Sequence, residues 1–348
     1  MKKLCFTVVC LLSGMTLLAY EAILFGDVHF DSEEVRDPAM ARLAYQKKEK
    51  DRNLKLWEKS IPALLDRARR KVTPKTAFVL QLGDIIQGDC GSRERHEKSL
   101  NTVLPIFCRT FPSVPFLVVT GNHDTRGKGG RDAYEAVMIP YLARTLEKPL
   151  APTLPLQYAF MQENDLYVCW DGNRPDLDFL EQVLQEHPKR RRLFVVTHLP
   201  VIPLSQNTPA WVVYGIPDKP ALRRRLLDVL AKNNAIVLCA HVHTTALVHW
   251  QSSAGKITQI SFSSMFPLKT GEVKVIERDV QNLFPEVMQN KDASKQMAVL
   301  ADLLPGYRKF KVFQPKAGFT VLKSSEQGVT LEFYCTEKPD VTHTIQLP

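Results

Sequence analysis

Residues 116–124 read Phe116-Leu117-Val118-Val119-Thr120-Gly121-Asn122-His123-Asp124. An unbroken apolar, β-branched run this short suits a strand buried on both faces. It ends at a glycine, and residues able to carry metal or proton chemistry follow at once. The same grammar recurs along the chain. Residues 22–25 run into Gly26-Asp27-Val28-His29, and residues 77–82 into Gly83-Asp84-Ile85-Ile86-Gln87-Gly88-Asp89. Residues 193–197 lead to His198-Leu199-Pro200, and residues 235–240 to His241-Val242-His243. Five of the nine histidines fall in these windows, so the polar residues do more than cap strands.

Helical patterns lie between the runs. A charged one spans residues 40–70, with Pro62 expected to break it. Another follows Asp176, a suitable N-cap, and aligns Leu177, Leu180, Val183 and Leu184 on one face. A third opens with Asp218 and Pro220 and aligns Leu222, Leu226, Val229 and Leu230. Strands alternating with helices define an α/β chain. Beyond His243 the pattern turns to β, with strands expected over residues 246–250, 257–262, 273–276, 319–322 and 329–334. Gly328 marks a hairpin turn, and a helix is expected over residues 292–304. No repeat or linker divides the chain, so residues 20–348 read as one domain.

The first nineteen residues stand apart. Lys2 and Lys3 precede an apolar stretch from Leu4 to Ala19, the layout of an export signal cleaved after Ala19. An uncleaved anchor is the lesser alternative, because a stable span needs about twenty apolar residues. The remainder has the composition of a soluble globular protein, 45% hydrophobic and 24% charged over 348 residues. The net charge of +9 is spread out, and its densest runs, 189–192 and 223–225, read as a helix terminus and a solvated helix face. A docking surface for anionic polymer or lipid is the other reading, but no aromatic residues interleave as a single-strand binder needs. Of the cysteines after Ala19, Cys169 and Cys239 sit in strand-like runs and read as core thiols. Cys90 and Cys108 bracket a helical stretch, which leaves a disulfide between them open.

In extended chain Asp27 and His29 project to one side, and so do His241 and His243, which places each pair to share an ion. Oxygen and imidazole donors without thiolate suit iron, manganese or zinc. In order and spacing the five blocks resemble the signature of the calcineurin-like metallophosphoesterases, over residues 22–245. The resemblance implies a four-layer αββα sandwich of two mixed β-sheets, with a dinuclear site at the strand ends and the strands after residue 245 completing the second sheet. It assigns Asp27, His29 and His243 to one metal, Asn122, His198 and His241 to the other, and Asp84 to both. His123 would contact the phosphate and protonate the leaving group, with Asp124 orienting it. The implied reaction is hydrolysis of a phosphate monoester or diester of a small molecule, by in-line attack of a hydroxide bridging two ions.

Two departures qualify the match. The last block opens with Ala240 where glycine is usual, and Gln87 stands where the purple acid phosphatase branch has tyrosine. The first and second blocks are closer to the branch containing class III cyclic nucleotide phosphodiesterases. The basic, glycine-rich loop 125–131 either meets an anionic substrate or is simply solvated. The stretch 201–217, with Trp211 and Tyr214, either faces the substrate or packs on the sandwich edge. Two rival functions share the fold: a metal-binding scaffold without catalysis, and an exported nuclease.

Overall fold

The computed structural model describes residues 19–37, 39, 44–204, 211–215, 219–265, 274–277, 303–314, 317–335 and 337–347. Residues 1–18 of the stretch read as an export signal and most of the helix expected over 292–304 lie outside them. So does Asp218.

Five of the expected strands come first: β1 (Tyr20–Phe25), β2 (Thr76–Gln81), β3 (Phe116–Val118), β6 (Arg192–Val196) and β7 (Ile236–Cys239). Two more, β4 (Tyr158–Gln162) and β5 (Asp165–Cys169), precede β6. Beyond residue 245 come β8 (Ala246–Ser252), β9 (Gly255–Ser261), β10 (Lys274–Glu277), β11 (Tyr307–Gln314), β12 (Phe319–Ser325), β13 (Gly328–Tyr334) and β14 (His343–Leu347). They form two mixed sheets, ordered β14-β13-β12-β1-β2-β3 and β10-β11-β8-β9-β7-β6-β5-β4. The strands after residue 245 therefore divide, correcting the expectation that all complete the second sheet. β12 pairs antiparallel with β1, so the chain closes the first sheet beside its own start.

The layering follows from side-chain alternation along strands. In β6, Phe194 and Val196 enter the core shared by the two sheets. Leu193 and Val195 point the other way, into a second core with the helices α5 (Leu177–Glu186) and α6 (Pro220–Lys232). On the outer side of the first sheet lie α2 (Ile61–Arg69), α3 (Arg93–Thr110) and α4 (Gly130–Thr145). The result is the four-layer sandwich.

Asp176 caps α5, accepting from the Asp178 and Phe179 N–H groups. In α6 the expected face is rotated: Leu222 is exposed, whereas Arg223 is buried beside Leu226, Leu227 and Leu230 and donates to the Tyr214 carbonyl. Pro62 breaks nothing. The helix α1 (Ala44–Lys55) passes through a π turn, Leu56–Ser60, into α2, and Pro62 follows directly on that turn, where the regular hydrogen-bond ladder is already interrupted.

The basic runs are largely committed to holding the fold. Arg190 donates to the Leu184 and His187 carbonyls, Arg191 to Asp165 and Glu326, and Arg225 pairs with Asp178 and Glu181. Cys90 and Cys108 are unbridged, because α3 carries Cys108 to its far end, while Cys169 and Cys239 are core thiols. No described helix is long and apolar enough to cross a membrane.

Candidate active site

All five motif blocks leave the carboxyl ends of strands, three from the first sheet and two from the second, and meet at one edge of the sandwich. Loops converge there because the strands that carry them are parallel within each sheet. Backbone bonds stitch the first two blocks together, with the N–H groups of Val28 and His29 both donating to the Asp84 carbonyl, at 3.0 and 2.9 Å. Gly121 approaches Asp84 so closely that an added Cβ would lie 2.0 Å from the Asp84 nitrogen.

Four of the assigned ligand residues, His29, Asp84, His241 and His243, have positive φ, between 47° and 67°. Left-handed backbone is costly for side chains of this size and collects at functional sites. It also corrects the expectation that strand alternation pairs His241 with His243. With both residues kinked, His241 turns towards His198 and His243 towards Asp27. The left-handed turn falls on His241, not on Ala240, so alanine is accommodated there.

Two clusters result. In the first, His29 Nε2 and His243 Nε2 lie 3.1 Å apart, and His243 Nε2 lies 3.4 Å from Asp27 Oδ1. In the second, His198 Nε2 is 3.0 Å from Asn122 Oδ1, 3.2 Å from His241 Nδ1 and 3.2 Å from Asp84 Oδ2. His198 Nδ1 is 2.9 Å from the Leu82 carbonyl, which can only accept, so Nδ1 carries a proton and Nε2 is the nitrogen turned to the cluster. Asp84 reaches both clusters, grouping with His29 on one side and with His198 and His241 on the other. The structure thus brings together all seven residues assigned to metals.

The donor set fits cations. Asp27 is wholly buried, yet neither of its carboxylate oxygens has a hydrogen-bond partner, and the buried His29 Nδ1 has none. Native proteins rarely leave such atoms unsatisfied without a ligand to take them up. The electrostatics agree. Burial would raise the carboxyls of Asp84 and Asp27, but His198 and His123 hold Asp84 well below the carboxylate range, and His243 brings Asp27 down to about 2. Burial also lowers His29 well below its ordinary value and takes His241 to about 4, which keeps both imidazoles neutral. Against burial, Asp84 draws His198 up to about 9. A field that attracts a proton so strongly between two carboxylates attracts a metal ion for the same Coulombic reason.

His123 sits beside the clusters, its ring 4.7 Å from that of His29. Its Nδ1 lies 2.8 Å from the Gln87 carbonyl and its Nε2 3.0 Å from Arg126 Nη1. Both nitrogens thus have protein partners, although a ring nitrogen of His123 also lies within 4.8 Å of ligand atoms of His29 and Asp84. The expectation that Asp124 orients His123 is corrected. The Asp124 carboxylate accepts instead from the backbone N–H groups of Asp84, Ile86 and Gly121, at 2.9, 3.1 and 2.8 Å. It pins the second block to the third, and the Gln87 carbonyl orients the imidazole.

Several supporting residues escape a reading of the sequence. Trp57 Nε1 donates to the His29 carbonyl, and the buried Asn53 on α1 donates to the Gln87 side chain. An asparagine within a charged helix carries no signal that it is buried. Gln87 turns its side chain to Asn53 and Glu49. Loop 125–131 is tied to the site at Arg126, through backbone bonds to His123 and Asp89.

The sequence matches the calcineurin-like phosphoesterase family over residues 22–245, the span that contains all five blocks. The chain belongs to that family of metal-dependent phosphoesterases. Among solved structures it is similar to a dimetal phosphatase from Danio rerio, at 15% identity and a TM-score of 0.50, over 95% of this chain and 99% of the other. It is also similar to PhoD, at 10% identity and a TM-score of 0.52, over 95% of this chain and 69% of that one. These likenesses concern the fold. No curated protein matches the chain.

Proposed function

We propose that the protein hydrolyses a phosphate ester at a dinuclear centre. Asp27, His29 and His243 hold one ion, Asn122, His198 and His241 the other, and Asp84 both; the oxygen and nitrogen donors suit iron, manganese or zinc. Two such ions supply, when bound, an activated water and the positive charge a phosphoryl group needs during hydrolysis. The orphaned Asp27 carboxylate beside two facing imidazoles is the observation that carries this reading.

The chain's own residues shape the substrate site. A cleft of about 890 Å³ opens beside the clusters. One wall is polar, with Asp84, Asn122, His123 and Arg126, and another is apolar, with Leu199, Trp211, Val212, Tyr214 and Val242. The phosphoryl group belongs at the polar wall and the organic part of a small phosphorylated molecule against the apolar one. Trp211, 55% exposed and edge-on to His241, is the aromatic surface available to that organic part. Of the two readings of residues 201–217, the described part therefore favours the substrate-facing one.

The test is a panel of p-nitrophenyl phosphate, bis-p-nitrophenyl phosphate and single-stranded DNA, after reconstitution with manganese, iron or zinc. Turnover of a nitrophenyl ester with two ions per chain is expected. Two ions without turnover make the protein a scaffold, and turnover of DNA alone makes it a nuclease.

The same reading takes residues 1–19 as an export signal and places the enzyme outside the cytoplasm, supported by Lys2, Lys3 and the apolar run that follows. Protein recovered from its native host should then begin at Tyr20. An intact Met1 on a soluble cytoplasmic form overturns that assignment.

A further inference from the structure

Arg126 stands at the polar wall of the cleft, in contact with His123. The Gln87 carbonyl can only accept, so the hydrogen bond at His123 Nδ1 places the imidazole proton there. A guanidinium can only donate, so the contact from Arg126 Nη1 to His123 Nε2 requires a lone pair on Nε2. With both His123 nitrogens engaged in this way, Arg126 is a cationic donor at the polar wall.

The arginine is held in place from behind. Its Nη2 pairs with Asp89 Oδ2 at 2.6 Å, and Asp89 is not part of the cleft wall. The two loops are locked backbone to backbone, with Asp89 N–H donating to the Arg126 carbonyl at 3.1 Å and Arg126 N–H to the His123 carbonyl at 3.2 Å. Gly127, at φ +93°, packs against Asp89 so closely that a Cβ would meet its Cα at 3.0 Å. A guanidinium fixed in this way at the edge of a metal site, and lining the cleft beside it, has the equipment of an anion clamp.

We propose that Arg126 binds the non-bridging oxygens of the substrate's phosphoryl group and makes this site prefer phosphate monoesters to diesters. The inference rests on the phosphoesterase reading. A monoester presents a dianion with three non-bridging oxygens, whereas a diester presents a monoanion with two and a second organic group to accommodate. A guanidinium held at that position rewards the extra charge and the extra acceptor.

p-Nitrophenyl phosphate and bis-p-nitrophenyl phosphate share a leaving group, so help in its departure cancels when their rates are compared. With the manganese-loaded protein, Arg126→Ala should lower kcat/KM for the monoester about 10–100-fold, the effect of one charge-assisted contact. The diester should lose several-fold less, and Arg126→Lys should recover part of the monoester rate. The dissociation constant of inorganic phosphate, measured by calorimetry, should rise in Arg126→Ala by a factor similar to the monoester loss. Equal losses on the two esters, or unchanged phosphate affinity, overturn the proposal. Loss of a metal ion from Arg126→Ala also overturns it, because Arg126 would then be holding the centre together. If the wild-type protein binds phosphate but hydrolyses neither ester, the phosphoesterase reading fails, and the phosphate titration still decides the role of Arg126.

Discussion

Asp27 and Asp165 are both wholly buried, and β1 runs from one to the other. At the start of β1, Asp165 is saturated with partners. Tyr20 donates to it at 3.0 Å, Arg191 grips it with two contacts of 2.8 Å, and the Ser324 hydroxyl also donates. At the far end, no hydrogen bond reaches the Asp27 oxygens, and their nearest charged neighbour is His243 Nε2 at 3.4 Å. Burying a carboxylate is expensive unless partners replace the lost water. The fold supplies hydrogen bonds at one end of the sandwich, and at the other only imidazoles that are themselves candidate metal ligands. One buried aspartate therefore ties the two sheets together, and the other leaves a charge for a bound cation to satisfy.

The largest test of this contrast is at the metal end. Asp84→Asn weakens the one side chain shared by both clusters, and turnover should fall by about 10³-fold, the upper end for loss of one electrostatic group. Metal content should fall with it. Full occupancy of both sites with near-normal turnover removes Asp84 from the bridging position.

Next comes the stability of the metal-free protein, read by urea unfolding. Asp165→Ala strips Arg191 of its buried partner and should cost about 3–5 kcal/mol. Asp27→Asn breaks no hydrogen bond but removes the charge that His243 and His198 face, and should cost less, about 1–2 kcal/mol. Equal costs at the two positions break the comparison.

A metal titration sharpens it. At a free metal concentration a hundred times the dissociation constant, the wild type should gain about 2.7 kcal/mol. Asp27→Asn should lose most of that gain, while a milder lesion at the other end, Tyr20→Phe, keeps it. An Asp27→Asn protein that metal stabilises as strongly as wild type excludes Asp27 from the ligand set.

Tyr20→Phe should itself have a similarly small effect, about 1–2 kcal/mol, for a hydroxyl shared between Asp165 and Tyr167. Burial and the Asp165 charge push that hydroxyl's pKa far upward, so it remains a donor throughout the working pH range. A loss as large as that of Asp165→Ala would mean that Tyr20, not Arg191, is the main partner of Asp165.

How much of this was legible beforehand varied with the kind of signal. Strands buried on both faces announce themselves as continuous apolar runs, and β1, β2, β3, β6 and β7 were all readable. β4 was not, because its residues alternate irregularly between interior and surface. Nor was the rotated face of α6, where Arg223 takes a buried position that a leucine period would have given to Leu222. An arginine enters a core only where a partner such as the Tyr214 carbonyl awaits it, and that partner lies outside the helix.

The amino-acid sequence by itself determined the five strand-end blocks, their order and the chemical types of their donors, because each block is a local pattern of a strand followed by a turn. Only the tertiary structure decided how those donors are shared out. His241 and His243 are two residues apart, yet left-handed backbone at both sends them to different clusters. His123 and Asp124 are neighbours, yet one faces Gln87 and Arg126 while the other pins three backbone N–H groups. The closing strands return to β1 instead of extending the second sheet, because pairing partners are chosen by contacts far apart in the chain. Local patterns fix which groups a loop carries. Where each side chain points depends on backbone torsions and on partners contributed from elsewhere, and neither is written in the loop itself.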